Sequence, residues 1–433
     1  MTECAQDRAH QCRLAGTEIA VEPNDHAGRQ QWRQFPAKGD GCRLIRQSDS
    51  DGGGNRAIIA SMQKDLTGHE TLASSEGDVD WRALSALIKG WGGELGFAAV
   101  GIAGTDVTEA SRRLESWLDA GYHGEMDYMA KHKTLRGDPD VLWPDVQSII
   151  SVRLRYWPLS TDARSVLADR DAAYVSRYAL GRDYHKVMRQ RLQKLGEKIG
   201  LVLRSVAPTR SFHYRAFADS APVLESELAR QAGTGWRGKH SLILTRAGSW
   251  HFLGELFTDL PLPSDTPAGD HCGTCRRCIE ACPTGAIVAP YQIDARRCVS
   301  YLTIELAGPI PVGLRSLIGN RIYGCDDCQL DCPWNRWEAP GDGVFFVRHG
   351  LDCARLVELF AWDEGEFNER LAGSPIRRIG YQRWLRNIAV ALGNAPPSAA
   401  SREALCRRVD DTDSLVRDHV AWAIERQSAG HEE

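Results

Sequence analysis

The sequence CGTCRRCIEACP at residues 272–283, followed by CDDCQLDCP at 325–333, is the most informative part of this chain. The first run has the spacing Cys-x2-Cys-x2-Cys-x3-Cys-Pro, which bacterial ferredoxins use to bind 4Fe–4S clusters. The second run lacks only the leading cysteine, and Cys298 lies upstream where it can supply that thiolate. The cysteine spacing therefore predicts a ferredoxin-like domain with two 4Fe–4S clusters.

The crossover rule of two-cluster ferredoxins, in which the fourth cysteine of a run binds the other cluster, divides these cysteines into two sets. Structural zinc is the alternative, because paired Cys-x2-Cys spacings also make tetrahedral zinc sites. A zinc site would not explain why both cysteine runs end in Cys-Pro. The rule predicts that cluster one is bound by Cys272, Cys275, Cys278 and Cys332, and cluster two by Cys282, Cys298, Cys325 and Cys328.

Composition excludes several classes of protein. The chain has 433 residues, and its formal net charge of −4 excludes a wholly basic nucleic-acid binder while permitting a local basic patch. The sequence contains no run of 18 apolar residues, which predicts that no helix spans a membrane. The N-terminus lacks the apolar core of a secretory signal, so we expect a soluble, cytoplasmic protein.

The chain divides into four predicted segments. Residues 1–77 are poor in apolar residues, so we expect a disordered extension, with Met62 as a candidate alternative start of translation. Helices and strands alternate over 78–262, which predicts an α/β domain. The two-cluster domain occupies 263–345, and 346–433 has helical patterns that predict HEAT-like repeats.

A predicted hairpin lies just before the cysteines, with strands at Ser241–Thr245 and Ser249–Leu256.

The segments around the cysteines resemble the epoxyqueuosine reductase family, which is a family of cobalamin-dependent iron–sulfur enzymes of tRNA modification. The resemblance runs from about Asp80 to Arg426 and does not include the N-terminal extension. It rests on ISVRLRYWP (150–158), SRYALGRDYHKVMRQRLQKL (176–195), DSAPVLESELARQAGTGWRGKHSLIL (219–244), HFLGELFTDLPLPSD (251–265), RRCVSYLTIELAGPIPVGLRSLIGNRIYGCDDCQLDCPWNRW (296–337) and SPIRRIGYQRWLRNIAVALGN (374–394).

This resemblance implies a redox enzyme in which the α/β domain binds cobalamin and the clusters reduce it. The reaction would reduce epoxyqueuosine to queuosine at the wobble position of tRNA, the last step of queuosine biosynthesis. We expect a monomer that takes electrons from an external donor. The alternatives are a dehalogenase-like cobalamin reductase of a small organic molecule, or a ferredoxin-like electron carrier without a substrate.

Asp219 is the candidate catalytic residue. The resemblance places the aspartate of the DSAPVLE motif over the cobalt as a general acid, because the epoxide oxygen must take up protons to leave as water. A carboxyl buried against a corrin is expected to have a raised pKa and to hold its proton. The alternative, from the local sequence, is that Asp219 caps a helix opened by Ser220-Ala-Pro222.

Other positions match the family less specifically, and each has an ordinary structural alternative as a core residue, loop hydroxyl or surface cation. His185 is expected on a helix surface and not beneath the cobalt. The candidate cobalamin contacts are Arg136, Ala179, Asp219, Lys239, Ile243, Leu253 and Ser300.

Two stretches could contact RNA. Five arginines between Arg370 and Arg386, with Tyr381 and Trp384 among them, are not accompanied by any acidic residue. The stretch 231–254 is likewise basic and lacks carboxylates. Basic patches bind phosphates and aromatic rings stack on unpaired bases, so both stretches are candidate tRNA surfaces, and a solvated helix face is the alternative.

Overall fold

The computed structural model describes residues 79–336 and 339–429, all within one compact unit of the chain, Leu72–Glu433. The predicted disordered extension lies outside the described residues. Within the ranges described, no helix is long and apolar enough to cross a membrane.

A four-stranded sheet forms the centre of the N-terminal half, in the order β1-β2-β7-β4 with every neighbouring pair antiparallel. Three two-stranded pairs, β10-β3, β5-β6 and β8-β9, complete the strands. The strands are β1 Ala99–Ala103, β2 Ser148–Arg155, β3 Tyr174–Val175, β4 Tyr214–Phe217, β5 Trp236–Arg237, β6 Ile243–Leu244, β7 His251–Thr258, β8 Ile287–Ala289, β9 Gln292–Ile293 and β10 Arg321–Tyr323.

The predicted α/β class left the strand direction open, because alternation of helices and strands along the chain does not determine it, and the structure makes this sheet antiparallel. The predicted hairpin is wrong. β6 pairs with β5, and β7 joins the main sheet between β2 and β4.

Helices pack against this sheet and form the C-terminal part. Their bounds are α1 Trp81–Glu94, α2 Thr108–Asp119, α3 Asp127–Lys131, α4 Lys133–Gly137, α5 Pro139–Leu142, α6 Ala163–Ala168, α7 Tyr184–Val206, α8 Glu225–Gln231, α9 Arg277–Glu280, α10 Val299–Ile304, α11 Val312–Ile318, α12 Asp327–Leu330, α13 Leu356–Phe360, α14 Glu364–Arg370, α15 Gly380–Asn394, α16 Ala399–Cys406 and α17 Ser414–Ala429.

Apolar periodicity explains why α1 and α7 form where they do. Leu84, Ile88 and Trp91 recur at helical spacing and are buried on one face of α1. Met188 and Leu192 do the same on α7, and both helices contribute to the core that covers the sheet. α7 therefore carries its first turn, which begins at Tyr184, to one end of this sheet.

Helix α15 fixes the segment that separates the two cysteine runs. Arg386, on α15, is fully buried and donates hydrogen bonds to the carbonyl oxygens of Leu302, Leu306 and Gly308. Asn387 donates to the carbonyl oxygens of Thr303 and Ile322. These contacts hold the connection between Cys298 and Cys325 in one conformation.

The structure buries part of both predicted RNA surfaces and leaves the rest of each accessible. Arg386 and Trp384 are fully buried, so they are not available to phosphates or bases. Of the five arginines, Arg370, Arg377 and Arg378 are exposed. In the second stretch Lys239 and His240 are buried. Local sequence could not distinguish a cation on the surface from one that satisfies buried carbonyls.

Replacing Arg386 with methionine is expected to destabilise the protein by about 3 kcal/mol or more, because three buried carbonyl oxygens lose their donor. Thermal unfolding of the purified protein measures the change. Arg377→Met, which removes an exposed arginine from the same stretch, is the control and should leave the melting temperature unchanged. Equal melting temperatures for both variants would contradict this role of Arg386.

Candidate cluster sites and active site

The predicted ligands of cluster one surround a single small cavity. Cys272, Cys275, Cys278 and Cys332 all line it, together with Lys239. The Lys239 ammonium donates hydrogen bonds to the carbonyl oxygens of Gly273 (2.6 Å) and Cys275 (2.9 Å), which orients the loop that carries the cysteines. The crossover rule and the geometry thus select the same four residues.

The other four cysteines form a second group. Burial raises the pKa of the Cys328 thiol, and the nearby Cys298 and Cys282 thiols raise it further. Cys325 also lies next to Cys328. Burial raises the pKa of the Cys325 thiol, and the Asp327 carboxylate and the Cys328 thiol raise it further. The Cys325 thiol donates to Asp327 Oδ2 at 2.8 Å. Helices α9 and α12, which carry one cysteine from each set, pack against each other.

This donor set fits iron–sulfur clusters. The eight predicted ligands are all free thiols, so none of them is committed to a disulfide. The first group also has an aromatic wall, in which the rings of Trp236 and Trp334 lie 5.0 Å apart and His271 packs edge-on against Trp236. Such a wall limits the access of water, which is one of the factors that set cluster potentials.

A second cavity, with a volume of about 900 Å³, lies beside the sheet. The residues that line it include Arg136, Tyr128, Asp219 and Glu225. Arg136 is 9% exposed, and within the described ranges its Nη1 atom has no hydrogen-bond partner. A buried guanidinium nitrogen without a partner at a cavity wall is suited to an acceptor on a bound molecule.

Asp219 projects into this cavity from the loop between β4 and α8. Its φ of +53° lies in the left-handed region, where a non-glycine residue is strained and needs support from its surroundings. That support includes Tyr184, whose hydroxyl donates to Asp219 Oδ2 at 2.5 Å. His185 Nε2 lies 2.9 Å from the same oxygen. Helix α8 begins only at Glu225, so the alternative of Asp219 as a helix cap is wrong.

The protein lowers the pKa of Asp219, contrary to the expectation of a raised value. Burial acts to raise this pKa, but the hydrogen bonds with His185 and Tyr184 and the positive charges of His185 and Arg378 outweigh it. The side chain is 52% exposed to the cavity. In the protein alone, Asp219 is therefore a carboxylate at neutral pH.

His185 is buried and is not the surface histidine expected from the sequence. Its Nδ1 lies 2.7 Å from Asp183 Oδ1, and Arg378 donates to Asp183 Oδ2 at 2.7 Å. Burial acts to lower the pKa of His185, but the hydrogen bonds with Asp183 and Asp219 outweigh it and raise the pKa. His185 therefore couples Asp219 to a second carboxylate.

The sequence analysis did not identify two neighbouring acids beside Asp219, the half-buried Glu225 and the buried Glu255. The Asp219 N–H donates to Glu225 Oε1 at 2.5 Å, and the Glu225 carboxyl is in hydrogen-bond contact with Glu255 on β7. Glu255 is fully buried. The sequence did contain an indication of this pair, because Glu255 stands at the centre of the apolar strand HFLGELFT. An acid in such a strand must be neutral or paired.

The structure distributes the predicted cobalamin contacts over several places. Arg136 and Asp219 line the 900 Å³ cavity. Lys239 lines the cavity of the first cysteine group instead. The remaining four line neither cavity: Ala179 is buried in a short 3-10 turn, Ile243 is buried on β6, Leu253 is half-buried on β7 and Ser300 is half-buried on α10.

Two family models match this chain. The model for the 4Fe-4S double cluster binding domain matches residues 271–335 and spans all eight predicted ligands. The chain therefore contains a double-cluster iron–sulfur domain, and the zinc alternative is not supported. The model described as epoxyqueuosine reductase QueG, DUF1730, matches residues 136–220 and spans Arg136 and Asp219.

Relatives and solved structures agree with these models. The epoxyqueuosine reductase of Pseudomonas aeruginosa is 55% identical over 361 residues, which cover 82% of this chain and 98% of that protein. The enzyme of Escherichia coli K12 is 54% identical, with coverages of 81% and 91%.

Among solved structures, a selenomethionine-labelled epoxyqueuosine reductase matches with a TM-score of 0.72 at 29% identity, covering 80% of this chain and 90% of that one. An epoxyqueuosine reductase with an epoxyqueuosine-modified tyrosine tRNA stem loop matches with a TM-score of 0.70, the same identity and the same coverages. The matches at more than half identity over four-fifths of the chain, together with the double-cluster domain, show that this chain belongs to the epoxyqueuosine reductase family and is an oxidoreductase.

Proposed function

We propose that this chain reduces epoxyqueuosine to queuosine in tRNA, with cobalamin held in the 900 Å³ cavity and two 4Fe–4S clusters bound by the two cysteine groups. The observation that carries this proposal is the position of Asp219. A motif aspartate of this family projects into a cavity next to an ion-paired histidine and a tyrosine hydroxyl. Dehalogenase and electron-carrier functions lack comparable support from relatives.

The two cysteine groups would bind the clusters through which electrons reach the active site. Cluster one would be held by Cys272, Cys275, Cys278 and Cys332, and cluster two by Cys282, Cys298, Cys325 and Cys328. The electrons would come from an external donor. Bound cobalamin would supply the low-valent cobalt that passes them to the epoxide carbon.

The cavity residues would perform the acid chemistry. Arg136 has an unused guanidinium nitrogen, so far as the described chain goes, that can donate to an oxygen of the cofactor or substrate. Asp219 transfers a proton to the oxygen that leaves the epoxide, while Tyr184 and His185 orient its carboxyl. The lowered pKa of Asp219 means that this carboxyl must receive the proton from a neighbour during turnover.

Further parts of the assignment extend this proposal. We propose that Lys239 orients the cluster loop through its hydrogen bonds to the carbonyl oxygens of Gly273 and Cys275. We propose cobalamin contacts for Ala179, Ile243, Leu253 and Ser300 from their resemblance to family positions. We also propose domain boundaries at residues 262 and 345, HEAT-like repeats in α13–α17, a monomeric state and a cytoplasmic location.

Anaerobic purification with added cobalamin and tRNA containing epoxyqueuosine tests this function. With a low-potential reductant we expect about eight irons per chain, a corrinoid absorption spectrum and conversion of epoxyqueuosine to queuosine in the digested tRNA. Iron and corrinoid without conversion would contradict the substrate. Iron without corrinoid would favour an electron carrier.

A further inference from the structure

Two neighbouring acids, the half-buried Glu225 and the fully buried Glu255, lie beside Asp219 at the active-site cavity. Glu255 is at the centre of the sheet, where it pairs across β7 with Ser151 on β2 and Phe217 on β4. The Ser151 hydroxyl lies 3.4 Å from Glu255 Oε1, and no donor in the described chain reaches Oε2. Glu225 is the first residue of α8 and lines the cavity itself.

Two carboxyls in contact, one fully buried and one half-buried, are not both ionised, because each charge is poorly solvated and repels the other. No lysine or arginine forms an ion pair with either carboxyl within the described ranges. The groups that face the pair are Asp219 from the β4–α8 loop, Tyr184 and His185 from α7, Ser151 from β2 and Arg136 from α4. The pair therefore holds a proton at neutral pH.

The titration behaviour of the two groups agrees with this geometry. Burial and the negative charge of Asp219 raise the pKa of Glu225 to about 8. Burial and the neighbouring Glu225 carboxyl raise the pKa of Glu255 well above its usual value. Because the two sites interact, these values describe the pair and not independent groups.

The reaction requires two protons. An epoxide that takes up two electrons and two protons yields an alkene and one water, so both protons end on the departing oxygen. Asp219 is ionised at rest and cannot hold either of them beforehand. His185, whose pKa is raised by its contacts with Asp183 and Asp219, is placed to supply one.

We propose that the Glu225–Glu255 pair stores the other proton and delivers it through Asp219 to the oxygen leaving the epoxide. This inference rests on the proposed function and adds the source of the proton. Glu225 gives up its proton, Asp219 takes it and passes it to the oxygen, and solvent entering the cavity reprotonates Glu225. Because Glu225 and Asp219 line the same cavity, the transfer crosses no apolar core.

Infrared titration of the cofactor-loaded protein tests the store independently of turnover. We expect the carbonyl band of a protonated carboxylic acid at neutral pH that disappears as the pH rises through about 8. Glu225→Gln, which keeps an oxygen to accept the Asp219 N–H, should remove this transition. Glu115→Gln, an exposed residue on α2 outside the cavity, is the control and should retain it.

The kinetic expectation is a change in kcat and not in KM. Turnover of the wild type should fall above about pH 8, where Glu225 loses its proton. Glu225→Gln should lower kcat by about tenfold or more at neutral pH and abolish this alkaline decline, with KM for tRNA unchanged.

An active wild type without the infrared transition would overturn the proton store, and so would an unchanged pH profile in Glu225→Gln. If Glu225→Gln does not fold, the infrared titration of the wild type still shows whether the carboxyl pair holds a proton at neutral pH. A wild type that shows the transition but does not reduce epoxyqueuosine would contradict the proposed function and leave the carboxyl pair standing.

Discussion

Replacing Asp219 with asparagine is expected to lower turnover by about 10²–10⁴-fold while the iron content and corrinoid binding stay at wild-type levels. An amide cannot carry a proton from its neighbours to the departing oxygen, and general acid catalysis typically contributes a factor of this size. Single-turnover conversion of epoxyqueuosine in tRNA, with metal analysis of the same sample, measures the effect.

A second readout separates catalysis from folding. The hydrogen bond and charge of Asp219 help to raise the pKa of His185, so Asp219→Asn should lower that pKa. Titration of the histidine by NMR measures this directly. Asp410→Asn, at an exposed site far along the chain, is the control and should change neither property. Full activity in Asp219→Asn would remove its role in proton transfer.

Replacing Cys298 with alanine is expected to reduce the iron content from about eight to about four atoms per chain, because each 4Fe–4S cluster needs four cysteine ligands. Cys298 lies outside both cysteine runs, yet its thiol is close enough to Cys328 to affect the pKa of that thiol. Iron analysis and electron paramagnetic resonance of the reduced protein, which counts clusters separately, provide the measurement.

Cys406→Ala is the matched control, since Cys406 is a free, exposed thiol on α16, outside both cysteine groups. It should retain about eight irons. A Cys298→Ala protein with the full iron content would refute the assignment of cluster two. Loss of all iron would mean that the second group is required for the first to assemble, which the packing of α9 on α12 makes physically reasonable.

Local sequence was sufficient for the clusters because the ligand spacing is itself local. Cysteines three residues apart, as in Cys272–Cys275–Cys278, stay in one short segment whatever the rest of the chain does, and the ferredoxin rule then predicts how the runs exchange their fourth ligand. The structure places Cys332 with the first three, as that rule requires. Cys298 could be predicted only because two clusters need eight thiolates, since its approach to Cys328 depends on tertiary contacts of the segment between the two runs.

Tertiary structure decided the rest. Apolar patterns located β1, β2 and β7, but the direction and partner of a strand depend on long-range pairing, so the sequence left the strand direction open and the predicted hairpin was wrong. The charge state of Asp219 depends on His185 and Tyr184, which are brought to it by another helix. The raised pKa of Glu255, on a central strand, depends likewise on burial and on the neighbouring Glu225 carboxyl from α8.

The sequence by itself determined which atoms could bind iron and which family the chain resembles, because both depend on residue identity and short spacing. Only the tertiary structure decided which cations are buried, which acids are neutral and which carboxyl is ionised. Those properties depend on desolvation and on charges within a few ångströms, and such neighbours come from distant parts of the chain.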